Sequence, residues 1–325
     1  MAIDIMYTNG VIAAREKFLL KDKIFRFSEL SAEEAFRAIL ETGYGQGAEG
    51  VTDVYSFEKL VVAEERAVDA FIAEYAPNRS VVAYLLAPRD FHNAKAILKA
   101  KYLGVGFDNM LGSEGEICIS VLSDCIMSGD YSKLAKQNQI LASAIEDAQN
   151  LLNDGETSGA KIGDVFERAA YCYYAQIVKH NGALKKLLAR RVDMTNILIA
   201  LRSQSSEEAA EKYLSGGLLK ESTLGKIFVG EEEARAAFSA TEYKEFFTKA
   251  MDAKSEEMPL TEAEKLRDSY ELVFFDTIKY ELKKDQPFLY YVFRRRIENM
   301  NVRILFVCLL AGLNETEIKK RLRAI

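Results

Sequence analysis

Apolar residues recur along most of this chain at spacings of three and four, the period of a helix that buries one face. After Pro259, Leu266, Tyr270, Val273, Phe274 and Ile278 fall on one such face. Thr261-Glu-Ala-Glu264 ahead of them has the form of a capping box, in which each side chain satisfies the other's free backbone amide. Ser31-Ala-Glu-Glu34 has the same form ahead of Phe36, Ile39 and Leu40. Period-two alternation of β-branched residues is nearly absent. Its best candidate, Glu116-Ile-Cys-Ile-Ser-Val121, lies between helical segments and reads as helix or loop. With only four prolines to interrupt the pattern, at positions 77, 88, 259 and 287, it predicts an all-α fold.

The helical pattern repeats at a longer scale. Asp90-Phe-His-Asn93, Asp193-Met-Thr-Asn196 and Glu298-Asn-Met-Asn301 each precede an apolar helical run. The four-residue pattern alone carries little, since about two chance matches are expected in a chain this rich in acids; Asp147-Ala-Gln-Asn150 is read as one. The flanks separate the three from the stray. Leu85-Leu86, Leu187-Leu188 and Val292-Phe293 lie upstream, followed by Arg89, Arg191 and Arg296. Glu65-Arg66-Ala67 matches Glu167-Arg168-Ala169, Gly115-Glu-Ile parallels Gly217-Leu-Leu, and Ser128-Gly129-Asp130 parallels Val229-Gly230-Glu231. Three helical units are expected, over residues 1–129, 130–230 and 231–325, with joints near Gly129 and Gly230. The third lacks room for its downstream part, and is read as truncated or closed by other elements. Such a chain stacks as an open solenoid or closes into a pseudo-threefold body, and the pattern does not choose.

Composition narrows the partners. Apolar residues make up 49% and charged residues 28%, ordinary for a soluble globular chain, and the net charge of −6 argues against phosphate-driven binding of nucleic acid. The first residues lack the basic and apolar stretches of a signal peptide, so a cytoplasmic location is expected. The longest apolar run, from Ile304 to Leu310, is about half the length that crosses a bilayer. Membrane association is therefore expected through a partner or the surface. Cys118, Cys125, Cys172 and Cys308 form neither a disulfide framework nor a C-x-x-C pair, and read as buried apolar residues or free thiols.

Candidate chemistry is thin. Gly45-Gln-Gly47-Ala-Glu-Gly50 fits G-x-G-x-x-G, but a helical pattern precedes it where a dinucleotide site needs a strand, so it reads as a flexible loop. His92 and His180 have no ligand-spaced neighbours and read as structural or exposed. No G-x-S-x-G, H-E-x-x-H or Walker motif occurs, and no metal, cofactor or catalytic residue is expected. Asp90, Asp193 and Glu298 occupy equivalent places beside basic residues, whereas acid–base catalysis needs two carboxyls in different environments. With Asn93, Asn196 and Asn301 they read as structural marks of the repeat. Around them the charge is locally positive: Arg89, Lys95, Lys99 and Lys101; Lys185, Lys186, Arg190, Arg191 and Arg202; Arg294, Arg295, Arg296 and Arg303. These clusters are candidate partner contacts, or solvated helix faces.

With the triple motif in hand, the chain resembles the C subunit of rotary V-type ATPases and ATP synthases, the family whose eukaryotic members are called subunit d. The likeness is sharpest at Tyr84-Leu-Leu-Ala-Pro-Arg-Asp90-Phe-His-Asn93-Ala-Lys-Ala-Ile-Leu98-Lys-Ala-Lys101. It extends to Asn9, the Arg15 to Leu20 stretch, Thr42-Gly-Tyr44-Gly45, Val192-Asp193 with Asn196, and Arg296-Ile-Glu298 with Asn301-Val-Arg303-Ile-Leu305. The resemblance implies three similar helical domains in a pseudo-threefold funnel. It implies a non-catalytic rotor subunit that links the central-stalk subunits to the membrane proteolipid ring and transmits torque, with no small-molecule substrate. A soluble helical scaffold or adaptor is the alternative, and an all-helical enzyme comes third.

Overall fold

The computed structural model describes residues 5–156, 158–256, 260–280 and 285–323. The described residues form seventeen α-helices and four short 3-10 turns, with no strand. In chain order the helices are α1 (Ile5–Arg15), α2 (Lys23–Phe27), α3 (Ala32–Glu41), α4 (Phe57–Tyr75), α5 (Arg79–Leu103), α6 (Ile119–Ser128), α7 (Ser132–Gln137), α8 (Gln139–Asn153) and α9 (Gly159–Ile177). They continue as α10 (Gly182–Arg202), α11 (Ser206–Lys212), α12 (Glu221–Leu224), α13 (Glu231–Phe238), α14 (Lys244–Ser255), α15 (Thr261–Asp276), α16 (Gln286–Leu310) and α17 (Glu315–Arg321). The segment from Glu116 is loop up to Cys118 and helix from Ile119.

Local chemistry sets several helix starts. Ser31 caps α3, its Oγ accepting the Glu34 N–H at 3.3 Å while the Glu34 carboxylate accepts the Ser31 N–H at 3.0 Å. Phe36 and Ile39 are buried on that helix, whereas Leu40 is 42% exposed. The corresponding expectation for α15 meets a shifted cap. Leu260 occupies its N-cap position and Thr261 is its first helical residue, with a side chain that lies outside the described residues. Its buried face is also rotated: Ala263, Leu272 and Phe275 are covered, and Val273 is 54% exposed.

Three helices, α5, α10 and α16, are the longest, at 25, 21 and 25 residues. Each carries one acid-x-x-Asn motif. Apolar residues run around the whole of α16, as expected of a helix enclosed by others, and Pro287 at its start has no amide to leave unsatisfied.

The chain divides into two compact units. One comprises Met1–Asn78, Ile197–Ser206 and Glu221–Ile325; the other comprises Arg79–Asn196 and Glu207–Lys220. In the first, α1, α2, α3, α4, α15 and α17 all pack on α16. Its core joins distant parts of the sequence, with Leu20, Ile24, Phe27, Phe36 and Leu60 buried against Val302, Leu305, Phe306 and Leu322. Phe57 stacks on Phe306 at 5.1 Å, and Phe71 on Phe288 at 5.3 Å. In the second, α5 packs on α6, α8 and α9, and the Tyr84 and Tyr174 rings meet at 5.6 Å.

Candidate functional site

The three acid-x-x-Asn motifs are buried, and each fastens a loop to its helix. On α5, Asp90 is 1% exposed, and its two carboxylate oxygens accept the N–H groups of Glu116 and Ile117, each at 3.1 Å. One turn on, Asn93 Oδ1 accepts the Gly112 N–H at 2.8 Å and its Nδ2 donates to the Ser113 carbonyl at 3.2 Å. On α10, Asp193 accepts the N–H groups of Leu218 and Leu219 at 2.9 and 3.0 Å, and Asn196 takes both backbone groups of Leu214, at 2.8 and 2.9 Å. An acid and an amide three residues apart share a helix face, so together they hold a short stretch of irregular backbone whose polar groups would otherwise be orphaned.

In the third copy the same grip closes on two separate parts of the chain. Asn301 takes both backbone groups of Arg323, at 2.7 and 3.0 Å. Glu298, fully buried, receives the Lys21 N–H at 3.3 Å, with the Leu20 amide beside it. The segment that follows Ile117 or Leu219 in the first two copies is thus replaced in the third by the one that follows Lys21. Leu19-Leu20-Lys21 repeats Leu218-Leu219-Lys220, a sequence signal for this partner that lies outside the acid-x-x-Asn motif. The stray Asp147 and Asn150 are both exposed on α8.

Two glycines make the first two grips possible. A Cβ on Gly115 would lie 2.1 Å from Asp90 Oδ1, and a Cβ on Gly217 would lie 2.1 Å from Asp193 Oδ1. In the third copy Leu19 precedes the held amides, and the acid is glutamate, whose extra methylene lets the loop stand further from the helix.

Burial drives the electrostatics. It pushes the Asp90 carboxyl up to about 6, against the opposing pull of the Ile117 and Glu116 amides. Burial also raises Glu298, partly offset by Arg295 and the Lys21 amide. Arg295 is itself buried, donates to Glu298 Oε2 at 2.9 Å, and is ion-paired with Glu64, whose other oxygen accepts the Gly45 N–H at 2.7 Å. The motif acids are therefore engaged with the protein's own groups.

The basic candidates fall in different surroundings. Arg89 donates to the Glu114 carbonyl at 3.1 Å, Arg191 to the Tyr84 hydroxyl at 3.2 Å, and Arg190 to the Lys186 carbonyl at 3.4 Å. Lys99 reaches the Gly159 carbonyl at 3.3 Å, and Lys101 neutralises the C-terminal end of α6 by binding the Ile126 carbonyl at 2.5 Å. Arg303 is held between Glu58 and Glu65, Arg202 pairs with Glu264, and Arg294 donates to the Tyr290 hydroxyl at 3.1 Å. Lys95 and Arg296 are half-buried, and Lys185 and Lys186 are exposed.

The glycine loop has Gly43, Gly45, Gly47 and Gly50 at positive φ. Gly45 is also a close approach, since a Cβ there would meet Leu60 at 2.7 Å. His92 is exposed, with Nε2 3.2 Å from the Met110 carbonyl, and His180 is exposed. Cys118 and Cys172 are exposed free thiols, and Cys125 and Cys308 are buried ones. Among the described residues no group of His, Cys, Asp and Glu is arranged to hold a metal ion, and no helix is long and apolar enough to cross a membrane.

Comparison with known proteins adds a second line. The family model described as ATP synthase (C/AC39) subunit matches residues 8–321. The C subunit of the V-type sodium ATPase of Enterococcus hirae is 21% identical over 318 residues, which cover 95% of this chain and 92% of that one. The C subunit of the V-type ATP synthase of Thermus thermophilus is 25% identical over 225 residues, covering 67% of this chain and 69% of that one.

Proposed function

This chain belongs to the ATP synthase (C/AC39) subunit family, and from that premise we propose that it is a non-catalytic rotor subunit of a V-type ATPase or ATP synthase. In this reading it links the central-stalk subunits to the membrane proteolipid ring and transmits torque for ion transport or ATP synthesis. It is held at the cytoplasmic side of the membrane through the complex. The observation that carries the reading is the family match over residues 8–321, together with an all-helical fold that fastens its loops by one device used three times. We propose domains over residues 1–129, 130–230 and 231–325, each carrying one acid-x-x-Asn motif, the third motif being closed partly by Lys21 of the first. Rigid loops suit a part that carries torque, because a compliant one would store the twist as local deformation.

Partner contact is assigned to Arg89, Lys95, Lys99, Arg190, Arg191, Arg294 and Arg296, whose summed positive charge stands out on a chain of net charge −6. Arg295, proposed from sequence alongside them, is spent on Glu64 and Glu298.

A tagged copy of the chain, purified from detergent-solubilised membranes, should bring stalk and ring subunits with it. Recovery from the soluble fraction without them would point instead to a free-standing adaptor. Arg191→Glu combined with Arg296→Glu should weaken binding to purified stalk or ring while the thermal midpoint holds. Unchanged affinity for both partners would remove these arginines from the interface.

A further inference from the structure

A cavity of about 400 Å³ opens between α9 and α10, within the unit that comprises Arg79–Asn196 and Glu207–Lys220. Its walls are almost wholly apolar, built from Tyr171, Val178, Val192 and Leu218 among others, and two exposed lysines, Lys185 and Lys186, line it at the solvent side. The second grip fixes one of its walls. Asp193 and Asn196 hold the loop from Leu214 to Leu219 by its backbone, and Ser215, Gly216 and Leu218 of that loop line the site. The site is thus preformed, concave and of the size that takes a small ligand.

We propose that this pocket binds an aliphatic chain that ends in an anion, either a free fatty carboxylate or an acyl chain of an acidic lipid. The walls offer almost no polar partner, so the body of the occupant is hydrocarbon. Lys185 and Lys186 both line the site and are exposed, and their positive charge, on an acidic protein, favours a negative head over a neutral or positive one. The first turn of α10 also lines the site, at Gly182, and its positive end points to the same charge. A docked partner helix would need a long shallow groove, whereas this pocket is lined jointly by α9, α10 and the held loop.

The purified chain is titrated, by calorimetry, with dodecanoate below its micelle concentration, with dodecanol and with dodecylammonium, and tested for co-sedimentation with phosphatidylglycerol vesicles. Saturable binding of one dodecanoate per chain is expected, at least tenfold tighter than dodecylammonium. Lys185→Glu with Lys186→Glu should weaken dodecanoate at least tenfold and leave dodecanol unchanged. Ala175→Phe, which enters the pocket from an exposed position on α9, should abolish binding of both, with the thermal midpoint retained. Vesicle binding lost in Ala175→Phe identifies a membrane lipid as the source, and dodecanoate binding without vesicle binding identifies a free fatty acid. The assignment is overturned if no amphiphile saturates, if Ala175→Phe binds as well as wild type, or if charge reversal leaves the carboxylate's advantage intact.

Discussion

A methyl group added at Gly115 or Gly217 would stand 2.1 Å from a carboxylate oxygen, closer than any non-bonded contact allows. Either the loop or the acid must leave, and buried amides then lose their acceptor. Gly115→Ala and Gly217→Ala should therefore each destabilise by about 2 kcal/mol or more in denaturant unfolding. Gly163→Ala, in open space on α9, should stabilise by about 0.5–1 kcal/mol. Equal effects at all three positions would mean that the grips do not hold. Acidity gives a second residue-scale test. Burial raises Asp90 to about 6, so the folded state binds this proton more tightly than the unfolded chain does. The contribution of Asp90 is then most favourable below the ordinary carboxylate value and is lost as the pH rises through about 6. The stability of wild type minus that of Asp90→Asn should fall by up to about 3 kcal/mol between pH 4 and pH 7. A flat difference would place Asp90 near its ordinary value. Sequence made the parallel of Gly115-Glu-Ile with Gly217-Leu-Leu visible, but not its cause, because the conflict between a Cβ and a carboxylate arises only once each loop folds back on its own helix.

Among the elements, α15 separates what periodicity reads well from what it reads badly. Its helical character was legible from spacing, yet Leu266, Tyr270, Val273 and Phe274 define one stripe and Ala263, Leu272 and Phe275 another. A helix apolar on two sides is oriented by its neighbour, here by Phe293 of α16, which stacks on Phe275 at 5.5 Å. Leu272→Ala should cost about 2–4 kcal/mol, and Val273→Ala should stay within about 0.5 kcal/mol. The reverse order in thermal or denaturant unfolding would restore the stripe read from spacing. The capping box predicted at α3 is present, while at α15 Leu260 takes the cap position that the pattern gives to Thr261.

For the molecule as a whole, helical class was legible because a period of 3.6 repeats along most of the chain, but the division into two units was not, since it depends on contacts between residues hundreds of positions apart. The third unit is expected to be truncated or closed by other elements, and Glu298 holds the amides of Leu20 and Lys21, the latter 277 residues upstream. Because α2, α3 and α17 bury their apolar faces in one core with α16, their amides should exchange with solvent in a single cooperative opening. In Glu298→Gln that opening should become more frequent while α8 and α9 keep their protection. Independent exchange of α3 and α17 would divide the core.

The third grip also has a place in time. Ile117 lies 27 residues from Asp90 and Leu219 lies 26 from Asp193, so each of these grips closes soon after its loop leaves the ribosome. Lys21 and Glu298 are 277 residues apart. At about 5–20 residues per second of synthesis, Leu20, Ile24, Phe27 and Phe36 wait roughly 15 to 60 s for Val302, Leu305 and Phe306 to be made. Val54, Leu60 and Val61 can cover part of that apolar surface early, and the rest of the cover comes only when α16 is made.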